Sequence, residues 1–207
     1  MRTGEPKIVG IVLAAGVSSR MGRVKDLLPW GDTCLLDRVI DNASGSKLDG
    51  LIVVLGHEAE RIREHVDLNG MNVVVNHNYH AGQSTSLHAG LCAVSGEVDG
   101  VLFLLGDQPF IDDTVIDRLI DAYTNRQSGF VVPLYRGQRG NPVLVDRSMF
   151  DAVKRITGDR GARCLFTAMS HQLQEIELSA PAILVDIDTM EDYRECLSLS
   201  GSPRTIF

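Results

Sequence analysis

Short apolar runs alternate along the chain with amphipathic stretches, a pattern that predicts repeated strand–helix units around a mostly parallel sheet. IVGIVL at residues 8–13 is the first strand and leads into a loop rich in Gly, Ser and Arg. A helix is expected over residues 33–42, then the strand LIVVL at 51–55. After Glu58, the helical spacing of Ala59, Ile62 and Val66 marks a short helix. NVVV at 72–75 is a third strand, and 84–93 reads as a helix. VLFLL at 101–105 is apolar on both alternating faces, as in a central strand covered on both sides. Asp112 or Asp113 caps the next helix, whose apolar stripe is Val115, Ile116, Leu119, Ile120 and Tyr123. FVVPL and PVLV are further strands around the turn YRGQRGN. AILVDI reads as a last strand entering Thr189, where Thr-Met-Glu-Asp forms a capping box with Asp192. With no repeat, low-complexity tract or long linker, one α/β domain over residues 1–207 is expected.

Composition narrows the function more than the fold. Hydrophobic residues at 44% and charged residues at 23% are ordinary for a globular chain, and 207 residues suffice for a sizeable core. A net charge of -7 argues against a general affinity for nucleic acid, though not against a small anion in a locally basic pocket. No apolar run is long enough to cross a bilayer and the start MRTGEPK is too polar for a signal peptide, so no membrane partner and a cytoplasmic location are expected. Cys34, Cys92, Cys164 and Cys196 lie far apart without a CxxC pair. That spacing suits neither a zinc site nor a disulfide framework, and predicts small buried or half-buried thiols.

In parallel sheets, ligands bind beyond the carboxyl ends of the strands, so chemistry is sought just after each strand. The loop after the first strand, LAAGVSSRMGRVK, combines small residues at Ala14, Ala15 and Gly16 with Arg20, Arg23 and Lys25. Gly16 and Gly22 permit backbone conformations closed to other residues, successive N–H groups can cradle phosphate oxygens, and the cations add charge. A flexible surface loop with solvated charges explains the same residues equally well. The loop fits neither the GxxxxGK[ST] nor the GxGxxG pattern. GDQP places Asp107 directly after the central strand, where a carboxylate can hold magnesium against phosphate oxygens; a turn residue before Pro109 is the structural alternative. Asp186 and Asp188, two apart on the expected last strand, share a face.

LAAGVSSRMGRVKDLLPWG closely resembles the signature of the nucleotidyltransferases that activate molybdopterin and of their sugar-phosphate relatives. DLLPWG, the Ala-Ala-Gly step and GDQP are more similar to the molybdenum cofactor cytidylyltransferase branch than to the guanylyltransferase branch. DIDTMEDY resembles the family's DIDTPEDY, with Met190 where Pro is usual. The resemblance implies a three-layer α/β/α, Rossmann-like fold of the nucleotide-diphospho-sugar transferase type. It implies a magnesium-dependent enzyme that takes CTP or another NTP and the molybdenum cofactor as substrates and releases pyrophosphate. A recipient molybdenum hydroxylase or its chaperone would be the further partner.

Carried onto this chain, the resemblance assigns catalysis to Lys25, Arg20 and Asp107, and metal binding to Asp107 and Asp188. It assigns the nucleotide to Leu13, Ala14, Ala15, Gly16, Ser18, Arg20, Lys25 and Gly106. The segment GQSTSLHAG resembles the base-reading loop, which adds Asn76, Gly82, Gln83 and Ser84, the last also a candidate helix cap. GNPVL and GDRGAR resemble the acceptor loops, which point to Asn141, Arg139 and Arg163 as acceptor contacts, joined by Gln108 of GDQP and Asp186 of DIDTMEDY; a turn and a helix start account for the two arginines structurally. His77, His80 and His88 have no compact metal spacing and read as solvated or hydrogen-bonding residues. A guanylyl or sugar-phosphate acceptor chemistry, and a non-catalytic cofactor-binding chaperone, remain the competing readings.

Overall fold

The computed structural model describes residues 4–200; the first three residues of MRTGEPK lie outside them. Ten strands and six α-helices are seen in this stretch. In order they are β1 (Ile8–Ala14), β2 (Pro29–Trp30), β3 (Thr33–Cys34), α1 (Leu35–Ser44), β4 (Gly50–Leu55), α2 (Ala59–His65), β5 (Asn72–Val75) and α3 (Gln83–Ala93). They continue with β6 (Gly100–Leu105), α4 (Asp113–Asn125), β7 (Phe130–Tyr135), β8 (Gln138–Arg139), β9 (Val143–Asp146), α5 (Phe150–Val153), β10 (Leu173–Glu177) and α6 (Met190–Ser200).

The main sheet has the order β10-β7-β9-β6-β1-β4-β5, with β8 added to β7. β1, β4, β5 and β6 run parallel, β9 is antiparallel to both β6 and β7, and β10 pairs parallel with β7. Two cores sandwich it. On one face Leu36, Val39 and Ile40 of α1, Ile62 of α2 and Ile116 and Leu119 of α4 pack on Val12, Val53, Leu102 and Leu104. On the other, Leu87 and Leu91 of α3 and Val153 of α5 pack on Ile11, Ile52, Val54, Val101 and Phe103. Alternate residues of each central strand thus feed opposite cores, which is why these strands read as unbroken apolar runs. The expected three-layer α/β/α, mostly parallel architecture is what the chain adopts.

A third cluster fixes the working edge. Met21, Leu28, Trp30, Leu35, Ile187, Tyr193 and Cys196 pack together, and Tyr193 Oη donates to Pro29 O at 2.5 Å. DLLPWG is therefore an anchor that ties the end of the first loop to the chain's last segment. Two expected caps are present: Asp112 accepts from Val115 N at 3.0 Å, and Thr189 and Asp192 bond reciprocally at 2.7 and 3.1 Å.

Several expectations are corrected. AILVDI is no strand: residues Pro181–Leu184 form a 3-10 turn, and 185–188 pair with no ladder. Its apolarity comes from burying Ala182, Ile183 and Ile187, while Asn141 N donates to Ile183 O at 3.0 Å, so the segment seals the sheet's end and does not extend it. Asp186 and Asp188 consequently owe their placement to an irregular segment and not to a strand's pleat. The helix expected from residue 33 begins at Leu35, because Thr33–Cys34 pairs with Pro29–Trp30 in a small hairpin. The edge strand LQEIE was not expected; its half-exposed polar pattern carries little apolar signal. Cys34 and Cys196 are buried as expected, but Cys92 and Cys164 are exposed, and all four thiols are free. Burial pushes the Cys34 thiol up to about 12.

Candidate active site

The register of β1 against β6 ends at Leu13↔Leu105, so the loops after these two strands leave the sheet side by side. Gly106 N donates to Leu13 O at 3.0 Å, and a side chain at 106 would press on Leu13 O and Ala14 Cβ at 3.2 Å. That close approach brings Asp107 against the first loop. In the loop, Ser18 adopts φ 52 and Gly22 φ 63, and Ser18 O accepts from Met21 N at 2.9 Å. Lys25 N donates to Ser18 Oγ at 3.3 Å. Gly16 is not in a left-handed conformation, a correction to its expected role; it faces open space, with nothing within 4 Å of where a Cβ would stand.

The functional side chains meet here. Lys25 Nζ donates to Asp107 Oδ2 at 2.5 Å and lies 3.6 Å from Asp188 Oδ1, with Ile187 O at 3.5 Å. Arg20 pairs with Asp188 Oδ2 at 3.0 Å. Ile187 N donates to Asp107 O at 3.1 Å, which stitches the two carboxylate segments together. Burial works against the Lys25 ammonium, but the charge and hydrogen bond of Asp107, with Asp26 and Asp188 behind them, outweigh it and raise its pKa. Asp107 Oδ1 is buried without a hydrogen-bond partner.

A cavity of about 780 Å³ opens on this cluster. Leu13, Ala14, Ala15, Gly16, Ser18, Arg20, Lys25, Gly82, Gln83, Gly106, Asp107 and Asp188 all line it, so most expected nucleotide, catalytic and metal residues are brought together. Gly82 has φ 105, and its backbone packs so closely on Gly158–Asp159 that a Cβ would stand 2.5 Å from Gly158 C.

Two expected nucleotide residues stand behind the wall. Asn76 is buried, with Nδ2 donating to Thr85 Oγ1 at 2.8 Å and Ser86 Oγ at 3.0 Å and Oδ1 accepting from Asn78 N at 3.0 Å. It braces the loop from within and is not among the cavity's lining residues. Ser84 is buried inside α3 and donates its N–H to Gly158 O at 3.2 Å; Gly82, not Ser84, occupies the cap position. His80 lines the cavity, whereas His77 is exposed outside it. His88 sits on α3, its Nε2 buried without a partner.

A second cavity of about 430 Å³ shares Leu13, Gln83 and Leu105 with the first. Asn141, Arg163 and Asp186 line it as expected of acceptor contacts. Gln108 does not: it is 2% exposed and its Nε2 donates to Asp186 Oδ1 at 2.7 Å, so it orients a wall residue from behind. Burial raises the Asp186 pKa, with Asp107 and Asp188 adding to the rise. Burial lowers that of Arg163, opposed by the Asp186 charge. Arg139 is not brought to the site. Its Nε bonds Glu175 Oε1 at 2.5 Å on β10 and its guanidinium lies 5.9 Å from the Phe166 ring centre.

Sequence reasoning missed Asp26, Asp159, Arg160 and Cys164. Asp26, 2% exposed, floors the first cavity, and burial pushes its carboxyl up to about 7, Lys25 opposing and Asp107 adding. Its one signal was its place after Lys25. Asp159 lines the first cavity and accepts from Gln83 N at 3.3 Å, while Arg160 and Cys164 line the second; all three sit in or beside the GDRGAR motif from which Arg163 alone was singled out.

Residues 10–175 match the MobA-like NTP transferase domain. The chain is 32% identical over 188 residues to the molybdenum cofactor cytidylyltransferase of Escherichia coli, covering 88% of this chain and 92% of that one. It is 29% identical over 201 residues to the nicotine blue oxidoreductase of Paenarthrobacter nicotinovorans, covering 91% and 96%. Among solved structures, a Mycobacterium tuberculosis protein crystallised as a manganese complex superposes with a TM-score of 0.79 at 33% identity, over 93% of this chain and 98% of that one.

Proposed function

The chain belongs to the MobA-like NTP transferase family and is a nucleotidyltransferase, and from that we propose that it transfers CMP from CTP to the molybdenum cofactor with release of pyrophosphate. The observation that carries this reading is the meeting of Lys25, Arg20, Asp107 and Asp188 on one wall of the larger cavity, beside a second cavity lined by Asn141, Arg163 and Asp186. Two adjoining chambers sharing Leu13, Gln83 and Leu105 suit two substrates that must touch. The cytidylyl choice rests on the DLLPWG and GDQP motifs and on the likeness to the E. coli enzyme.

The residues fit a divalent cation. Asp107 offers a buried oxygen lacking a partner, and such an atom calls for a donor or a cation. Among the described residues no group of three or more His, Cys, Asp or Glu side chains forms a metal cage. Magnesium needs none, since it is held by one or two carboxylates together with substrate phosphates. Asp107 and Asp188 would hold it, and it would offset phosphate charge during transfer. That a mycobacterial relative crystallises as a manganese complex supports a divalent ion as part of this chemistry.

In the transfer, a terminal phosphate oxygen of the acceptor attacks the α-phosphorus of CTP, a new P–O bond forms, and the bond to the pyrophosphate oxygen breaks. No covalent enzyme intermediate is required, so this chain's contribution is positioning and charge. Lys25 and Arg20 stabilise the triphosphate, backbone N–H groups of the 14–20 loop cradle it, and Gly82 and Gln83 border the base. Arg163 binds acceptor phosphate, and Asp186, oriented by Gln108, borders the acceptor. On this reading the chain works as one domain over residues 1–207 in the cytoplasm and passes its product to a molybdenum hydroxylase or that enzyme's chaperone. Replacing Lys25 or Asp107 by Ala is expected to abolish pyrophosphate release. Transfer that survives both changes overturns these roles.

A further inference from the structure

The four charges of the site are arranged as two cation–anion pairs. Lys25 holds Asp107 at 2.5 Å and reaches Asp188 at 3.6 Å, and Arg20 holds Asp188 at 3.0 Å. These are the same two cations that the proposed function assigns to triphosphate, and the same two carboxylates that it assigns to metal. A divalent cation on the free Oδ1 of Asp107 must share that carboxylate with the Lys25 ammonium on Oδ2, where like charges repel, and a triphosphate must draw Lys25 and Arg20 from their carboxylates.

Each ligand alone therefore leaves charges stranded. Metal without nucleotide sets a second cation against the Lys25 side chain, which is 15% exposed, with only the buried Asp26 left beside it as a further counter-charge; nucleotide without metal leaves Asp107, equally buried, facing phosphate. A buried charge that loses its partner is costly, and the cost is removed only when the new partner arrives too. The exposed pair differs: Arg20 is 68% exposed and solvent screens it, so the coupling resides mainly in Lys25.

Resting on the proposed metal and nucleotide roles, we infer that Lys25 is a displaceable counter-ion on the metal carboxylates, which makes metal and nucleotide bind as a mutually dependent pair. By linkage the two must favour each other by one and the same factor. Lys25 thus has a positioning role before transfer, separate from its contact with phosphate.

The test uses the full chain and two probes: Mn2+, and a CTP analogue with a methylene bridge between the α- and β-phosphorus, which cannot be cleaved there. Equilibrium dialysis reads protein-bound Mn2+ with and without the analogue. For the wild type, the analogue is expected to tighten Mn2+ binding by roughly 5- to 150-fold. Lys25→Met, which keeps the stem and removes the charge, is expected to bind Mn2+ alone more tightly than wild type and to lose most of the analogue's effect. Arg139→Gln, outside both cavities and paired with Glu175 at the surface, is expected to behave like wild type. A circular dichroism melt confirms that each variant is folded.

Lys25→Met binding Mn2+ alone no better than wild type overturns the inference, as does wild-type Mn2+ binding indifferent to the analogue. In both cases, loss of Mn2+ binding in Asp107→Asn keeps the metal reading intact. Wild-type protein that takes up no Mn2+ under either condition overturns both.

Discussion

Replacing Asp26 by Asn should make the protein more stable at pH 8 than at pH 5, relative to wild type. Asp26 is 2% exposed on the floor of the larger cavity, and burial raises its carboxyl from 3.8 to about 7 despite the nearby Lys25. A raised carboxyl means that the folded chain holds its proton where the unfolded chain has released it. Stability from this group therefore falls as pH climbs from about 4 to about 7 and levels off above. At 1.36 kcal/mol per pH unit, the full cost reaches about 4 kcal/mol, and the part that accrues between pH 5 and pH 8 is about 2–3 kcal/mol. The substituted amide has the same shape as the carboxyl and cannot ionise, so the variant lacks that slope. Urea unfolding of both proteins at the two pH values measures it. The stability difference, variant minus wild type, should be larger at pH 8 by about 2–3 kcal/mol. A difference that is the same at both pH values refutes the reasoning, because Asp26 would then titrate alike in the folded and unfolded chains.

Gly82→Ala forces a Cβ to within 2.5 Å of Gly158 C at a φ of 105; it should cost on the order of 1–3 kcal/mol in thermal or urea unfolding and raise the KM for nucleotide by roughly tenfold. Unchanged stability and KM would show that the two loops need not touch. Arg163→Ala should raise the acceptor KM by roughly ten- to a hundredfold, the worth of a hydrogen bond to a charged group, with little change in the KM for nucleotide. Arg139→Ala, which loses a surface pair with Glu175 and a contact over the Phe166 ring but nothing in either cavity, should leave both constants within about twofold and stability within about 1–2 kcal/mol. Steady-state kinetics of the two variants side by side decides between the arginines.

How far the sequence could be read depended on where each segment places its apolar residues. Where an apolar run enters the ladder, as in IVGIVL, NVVV and VLFLL, periodicity located the strand to within a residue. AILVDI misled because it has the same composition but buries it against the sheet's end, where Ile183 O bonds Asn141 N. LQEIE misled in the opposite sense, since an edge strand half open to solvent need not be apolar. The site divides similarly. Small residues beside cations marked Ala14 to Lys25, and a carboxylate directly after a central strand marked Asp107, because those types are tied to the chemistry itself. Arg139 and Arg163 were indistinguishable in sequence, each following or preceding a glycine turn. Only the fold sends one to Glu175 and the other to the second cavity. Asp26 carried no signal of its burial, because a carboxylate inside a core is decided by packing around it.

The central claim is tested most directly by pyrophosphate release from CTP and from GTP, with magnesium and molybdenum cofactor as acceptor. Release with CTP and little with GTP is the predicted result. Preference for GTP would contradict the cytidylyl assignment, and silence with both nucleotides would contradict the molybdenum cofactor as acceptor.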